Sequence, residues 1–338
     1  MVVGAGMIGA ACAYYASRAG LDVTVIDRGP VAGGTTGAGE GNLLVSDKAP
    51  GPELELALLS ADLWQELAAE HGGEGNAYDV PYDVPYEYER KGGLVVASTE
   101  TELTALRAFA AGQRCAGVTA TEIPADRLPD HEPHLATDLA GGFHYPQDAQ
   151  VQPALAAAHL LRVAGAEGHV TLRLGEEVTA VRRAASGEVR GVRTSTGREI
   201  RAPRLVNAAG VWGGQLAALA GVELPVLPRR GFVLVTEPLP RLVRHKVYSA
   251  EYVADVASGS AALQTSAVVE GTRAGPVLIG ASRERVGFDR TLSVEALRRL
   301  AARATRLFPV LAGVRALRTY AGFRPYLPDH LPAIGPDP

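Results

Sequence analysis

The sequence predicts a mixed α/β fold that begins with a dinucleotide-binding unit, and three observations carry that prediction. The chain opens Met1-Val2-Val3-Gly4-Ala5-Gly6-Met7-Ile8-Gly9, which reads as a short apolar strand, a glycine turn and the start of a helix. Asp22-Val23-Thr24-Val25-Ile26-Asp27 follows as a second strand that ends in an acid. Between Val170 and Asn207 the pattern changes to short alternating stretches, with hairpin signals at Ser186-Gly187 and Thr196-Gly197.

Each glycine of the opening G-x-G-x-x-G pattern has a physical task. Gly4 permits the tight turn, Gly6 lets a diphosphate approach the backbone, and Gly9 lets helix and strand pack closely. The unpaired N–H groups and positive pole of the helix then face phosphate charge. Asp27 can accept hydrogen bonds from both ribose hydroxyls of an adenosine. At this stage the dinucleotide could be NAD or FAD.

Composition narrows the function classes. The chain has 338 residues, 47% of them hydrophobic and 21% charged, and a net charge of −4. That balance gives no electrostatic footprint for nucleic acid or an acidic membrane. No run approaches the roughly 18 apolar residues of a membrane span. The apolar start lacks the basic region of a signal peptide. Cys12 and Cys115 form neither a zinc spacing nor a C-x-x-C pair, so a cytoplasmic location is expected.

Along the chain, the first helix runs from about Met7 to Ala19 and stops at Gly20. Gly33 to Asn42 has almost no side-chain bulk; it suits a backbone that approaches a flat ligand, with Thr35 and Thr36 supplying hydroxyls, or a plain flexible loop. Pro52 starts a helix whose apolar face reads Leu56, Leu59, Leu63 and Leu67, with Trp64 expected in the core. Val80 to Glu89 reads as an irregular connection, Gly92 to Ala97 as a strand, and Glu100 to Ala111 as an amphipathic helix. Pro124 to Pro133 is expected to be a loop, and His131 and His134 there to be solvated, since no cysteine or carboxylate framework accompanies them. Gly141 to Tyr145 is a strand, and Pro153 starts a helix. The alternating stretch ends in Asn207-Ala208-Ala209-Gly210-Val211-Trp212, a second place where backbone can approach a ligand. Strands follow at Gly231 to Val235 and Pro276 to Gly280, with Tyr248 and Tyr252 on a candidate strand between them. Ser293 caps a helix with Val294, Leu297, Leu300, Ala304 and Leu307 inward and Arg298, Arg299, Arg303 and Arg306 outward. The closing segment, Tyr320 to Pro332, reads as a stiff proline-rich loop that carries Arg324.

Four separated motifs now fall in one order: the glycine turn with Asp27, the Thr35-Thr36 loop, the meander ending in Asn207-Ala208-Ala209-Gly210, and Gly322-Phe323-Arg324-Pro325 with Pro332-Ala333-Ile334-Gly335. In that order the chain resembles FAD-dependent oxidoreductases of the D-amino-acid oxidase family over essentially its whole length. The meander resembles the insertion of that family, which favours FAD over a nicotinamide. The resemblance implies a discontinuous FAD-binding Rossmann-like domain (residues 1–80, 143–215 and 305–338). It also implies a substrate domain on a mixed antiparallel sheet (81–142 and 216–304).

By resemblance, Gly4, Gly6 and Gly9 hold the pyrophosphate, Asp27 the ribose, and Thr35 and Thr36 the phosphate–ribityl side. Val178 contacts the adenine through its backbone, and Ala208, Ala209 and Gly210 line the cofactor. Met7, Ile8, Arg28, Gly41, Asn42 and Trp212 complete the expected cofactor set. No His or Cys occupies the loop at Gly39-Glu40-Gly41-Asn42 that tethers flavin in some members, so the FAD is expected to be non-covalent. The family's reaction is oxidation of the C–N bond of a small amino acid or secondary amine, of the glycine, sarcosine, proline/hydroxyproline or D-amino-acid class. Arg324 matches the carboxylate-binding arginine, and Tyr252 falls near a tyrosine that contacts the same carboxylate. Electrons leave to oxygen or to electron-accepting partner subunits. The competing readings are a monooxygenase or hydroxy-acid oxidase on the same fold, and a noncatalytic FAD-binding subunit. In the family a further strand and a helix follow the Pro332–Gly335 segment, and the sequence read here stops at Pro338.

Overall fold

The structure, a computed structural model, describes residues 1–72, 85–257 and 260–336. Half of the predicted irregular connection at 80–89 (residues 80–84) and the expected domain boundary at residue 80 therefore lie outside the described residues. The chain divides into two compact units, one formed by Met1–Gly39, Gln152–Arg229 and Gly322–Pro338, the other by Glu40–Val151 and Arg230–Ala321.

The first unit is built on a four-stranded parallel sheet in the order Val206–Asn207, Val2–Val3, Val23–Asp27, Val170–Leu174. The helix Met7–Arg18 packs against Pro153–Ala166. Alanines make that approach close: Ala10, Ala13, Ala156, Ala157 and Ala164 are all fully buried. The strands Val178–Arg183, Val189–Thr194 and Glu199–Arg201 form the expected antiparallel meander. Gly187 and Gly197 adopt the positive φ (95° and 81°) that its two turns require. Val3, Ile26, Val178, Val192 and Leu216 form the small core beneath it.

The second unit carries most of an eight-stranded mixed sheet, ordered Ala316–Tyr326, Leu227–Thr236, Val277–Arg283, Gln264–Gly271, Lys246–Ser249, Gly93–Ala97, Gly141–Tyr145, Thr121–Pro124; the ends of its first two strands, Gly322–Tyr326 and Leu227–Arg229, belong to the first unit. Alternation along Gly93–Ala97 sorts its side chains to two faces. Leu94 and Val96 join the cluster of Val247, Val269, Leu300, Leu307 and Phe308; Val95 and Ala97 join that of Leu54, Leu103, Leu106 and Phe143. One face is covered by Val294–Leu307, capped by Ser293 Oγ accepting from Ala296 N at 3.2 Å. The other is covered by Pro52–His71 and Glu100–Cys115. No helix among the described residues is long and apolar enough to cross a membrane.

Several expectations are corrected here. The helix Pro52–His71 buries Leu54 and Leu67 and packs Ala57, Leu58 and Ala61, whereas Leu56, Leu59 and Leu63 are exposed. The helical period was legible, but two apolar stripes fit it, and the sheet takes the one containing alanines. Val294 is likewise exposed, because the inward stripe of its helix begins at Ala296. Pro124–Pro133 contains the short helix Leu128–His131 rather than loop alone. Tyr252 lies on the helix Ala250–Ala257, not on a strand; only Tyr248 is on Lys246–Ser249. Tyr320–Tyr326 is strand, not loop, because Ala316–Tyr326 is an edge strand, where Pro325 costs no ladder donor.

Candidate functional site

In the first unit the glycine turn is fixed by contacts that leave no room for side chains. Gly4 N donates to Ile26 O at 2.8 Å, and a Cβ on Gly4, which has φ +117°, would strike the Ala208 carbonyl. A Cβ on Gly9 would strike the Gly4 carbonyl oxygen, so the helix can close on its strand only with glycine there. The helix start has no side-chain cap on Gly6 and no acid in its first turn. Its first donor, Met7 N, reaches Thr36 Oγ1 at 2.9 Å, and a Cβ on Gly6 would lie 3.0 Å from that hydroxyl.

Asp27 Oδ2 accepts from Ala5 N and Oδ1 from Gly29 N, both at 2.7 Å. A carboxylate has about four lone-pair positions, so two remain for hydroxyl donors. The adjacent Arg28 guanidinium lies 4.4 Å over the Trp212 ring, with Nη1 3.3 Å from Glu177 Oε1. Trp212 also closes over Gly34, where a Cβ would come within 3.2 Å of it. Thr35 Oγ1 donates to Phe323 O at 2.6 Å and lies 3.7 Å from a Cβ placed on Gly210; a Cβ on Gly322 would collide with Ala38. Arg324, half-buried, follows Phe323 on the same strand.

One unit thus brings together the glycine turn, Asp27, the Thr35–Thr36 loop, Ala208, Gly210, Trp212 and the Phe323–Arg324 segment. Val178 opens the first meander strand and packs in the core beside Val3 and Ile26. Ile8 is 67% exposed at the mouth of the turn. This cradle fits a dinucleotide by observation: glycines where a Cβ has no space, a helix start with no capping side chain of its own and no first-turn acid, and an acid with free acceptor capacity at the end of the next strand.

The remaining expected residues lie in the second unit. Gly41 O accepts from Val151 N at 3.0 Å. Asn42 Oδ1 accepts from the buried Lys246 ammonium, which also pairs with the fully buried Glu270. Glu270 in turn accepts from Gln150 Nε2 at 2.7 Å. The charges of Glu270 and Glu40 outweigh burial and raise the Lys246 pKa, which keeps the ammonium protonated. Tyr252 is buried, its ring 5.0 Å from that of Tyr248 and 5.0 Å beneath the Arg283 guanidinium.

Sequence reasoning missed this buried polar set, although a lysine opening the apolar run Val247-Tyr248 and a glutamate closing Ala267-Val268-Val269 were signals. It also missed Asp148, which is fully buried and accepts from Val45 N at 2.9 Å and from the Ser46 hydroxyl, itself bonded to Tyr248. Burial pushes the Asp148 carboxyl up to about 7, against the hydrogen bonds from Ser46 and Val45. Of the two loop histidines, His134 is exposed, whereas His131 is half-buried against His144 and His245.

Comparison with known proteins agrees with the geometry of the cradle. The family described as FAD dependent oxidoreductase matches residues 1–338. Hydrogen cyanide synthase subunit HcnC of Pseudomonas aeruginosa is 28% identical over 378 residues, covering 99% of this chain and 84% of that protein. Glycine oxidase of the same species is 31% identical, covering 100% and 85%. The crystal structure of glycine oxidase from Geobacillus kaustophilus superimposes with a TM-score of 0.85 at 27% identity, covering 100% and 85%.

Proposed function

The chain belongs to the family of FAD dependent oxidoreductases, and from that premise we propose that it oxidises the C–N bond of a small amino acid or secondary amine. Glycine, sarcosine, proline, hydroxyproline and D-amino acids are the substrate class. FAD, when bound, accepts the hydride that leaves the α-carbon together with its electron pair. The imine left behind is hydrolysed by water to a keto acid and ammonia or an amine.

The residues of this chain hold and orient the two partners. Gly4, Gly6, Met7, Ile8 and Gly9 receive the diphosphate at the helix start, and Asp27 receives the ribose hydroxyls through its two remaining acceptor positions. Arg28 and Trp212 stack at the rim, Thr35 and Thr36 take the phosphate–ribityl side, and Val178 and Ala208–Gly210 line the adenosine and cofactor edge. By resemblance, Gly41 and Asn42 are also assigned to the cofactor. The FAD is held without a covalent bond, so acid precipitation should leave the yellow colour in the supernatant. Arg324 pairs its planar guanidinium with both oxygens of the substrate carboxylate, and Tyr252 donates its hydroxyl to the same group. Substrate orientation, not proton abstraction, is what these side chains supply.

The observation that supports this reading most is the hydrogen bond from Thr35 Oγ1 to Phe323 O at 2.6 Å. It ties the strand that carries Arg324 to the loop beside the glycine turn. Anaerobic titration with members of that substrate class, followed by bleaching of flavin absorbance, tests it directly. Bleaching by a hydroxy acid but by no amine would overturn it, and failure to take up FAD would favour a noncatalytic subunit. Arg324→Ala should weaken the apparent affinity for the bleaching amine by about 2–5 kcal/mol. An unchanged affinity would remove Arg324 from the site. Similarity to a protein named as a synthase subunit supports a second reading of the electron acceptor, a partner subunit rather than oxygen. Oxygen uptake that matches amine turnover would exclude it.

A further inference from the structure

Three histidines that are far apart in sequence meet at one corner of the eight-stranded sheet. His131 ends the short helix Leu128–His131, His144 lies on the strand Gly141–Tyr145, and His245 directly precedes the strand Lys246–Ser249. Their ring centroids are 5.2 Å (His131–His144), 5.8 Å (His131–His245) and 5.4 Å (His144–His245) apart. One ring nitrogen from each lies within 4.8 Å of the others. Each side chain is half-buried, so the corner is sheltered yet open to solvent on one side.

We propose that His131, His144 and His245 form a binding site for a divalent transition-metal ion of the zinc class, with Glu132 as the carboxylate that orients His245. Three imidazoles without a thiolate suit zinc, copper or nickel, and leave a fourth position for water. Zn–N bonds of about 2.0–2.1 Å place tetrahedral ligand nitrogens about 3.3 Å apart, so closing from 4.8 Å moves each nitrogen by about 0.9 Å. Rotation of half-buried rings supplies a movement of that size.

Two further features belong to the site. Glu132 is fully buried; its Oε1 meets His245 Nδ1 at 2.9 Å and also accepts from Arg244 N and His245 N at 2.9 and 2.5 Å. With Nδ1 engaged, His245 presents Nε2, the arrangement by which carboxylates fix metal-bound histidines. Gly92, on the strand-side approach between His144 and His245, has φ +77°; a Cβ there would lie 2.8 Å from His144 Nε2 and 3.5 Å from His245 Cδ2. Glycine keeps open the space that the two rings need. A bound ion would tie the helix Leu128–His131 to two strands on either side of Gly93–Ala97.

The test uses the full chain without a polyhistidine tag, saturated with FAD and stripped by a chelator. Calorimetric titration with Zn2+ should show one ion per chain at micromolar affinity or tighter, and zinc-edge X-ray absorption should report three imidazole ligands. His131→Gln and His144→Gln should each weaken binding at least tenfold, and Glu132→Gln by about 10–100-fold. Absence of saturable uptake by the wild type, or wild-type affinity retained in both histidine variants, would overturn the site. If a variant does not fold, the wild-type X-ray absorption decides alone, and fewer than three imidazoles refutes the assignment.

Discussion

Asp148→Asn isolates the energetic consequence of a carboxyl group buried at the centre of the second unit. In the folded protein its pKa is pushed up to about 7, from 3.8 for the exposed group, because burial disfavours the charge. The unfolded chain therefore releases this proton first as pH rises. Stability from this group is greatest below about pH 4, falls between about 4 and 7, and is level above that. Each tenfold step in proton affinity is worth about 1.4 kcal/mol, so the full loss comes to about 4 kcal/mol. Between pH 5 and pH 8 the portion lost is about 3 kcal/mol. Asparagine is neutral throughout; its carbonyl can accept from Val45 N, and its amide can donate to the Ser46 hydroxyl. With an unfolding entropy of about 0.7 kcal/mol/K for a chain of this length, the melting temperature of Asp148→Asn minus that of wild type should widen by about 4 °C from pH 5 to pH 8. Scanning calorimetry at fixed scan rate measures it. The comparison cancels other titrating groups, which are shared by the two proteins. An offset that is constant with pH, or one that widens toward acid, would refute the reasoning.

Two other substitutions probe different layers of the structure. Gly9→Ala forces a methyl group against the Gly4 carbonyl, so it should cost about 1–3 kcal/mol and impair FAD retention; equilibrium dialysis of the cofactor alongside melting curves would show both effects. Lys246→Met leaves Glu270 buried without its cation and should cost about 3–5 kcal/mol, while Lys246→Met combined with Glu270→Leu should recover most of the loss. Urea unfolding of the single and double variants would reveal that recovery, and equal losses in both would contradict the ion-pair account.

What the sequence disclosed was what is local. The turn at Gly4–Gly9, the strand ending in Asp27 and the hairpins at Gly187 and Gly197 depend on residues close together in the chain, and the structure has them where the pattern implies. Helix faces were less legible, since Leu56, Leu59 and Leu63 satisfy the same period as the buried Leu54 and the partly buried Ala57, Leu58 and Ala61. Hydrophobicity favours the leucines, but close packing on the sheet favours the smaller side chains. Prolines misled at Tyr320–Tyr326, because a proline at a sheet edge obstructs nothing. The polar groups of the second unit were hidden for another reason. Asp148 with Ser46, Lys246 with Glu270, and His131 with His144 and His245 are paired by strand order, and no spacing along the chain encodes that order.

The edge strand Ala316–Tyr326 has a consequence for how molecules of this protein meet one another. An outermost strand offers a row of backbone donors and acceptors that a second copy could extend into a continuous sheet. Here Pro325 removes one donor from the row. The exposed Arg318 brings like charge to any pairing of this edge with itself. The same short segment that tethers an arginine beside the nucleotide cradle therefore also discourages copies of the chain from associating edge to edge.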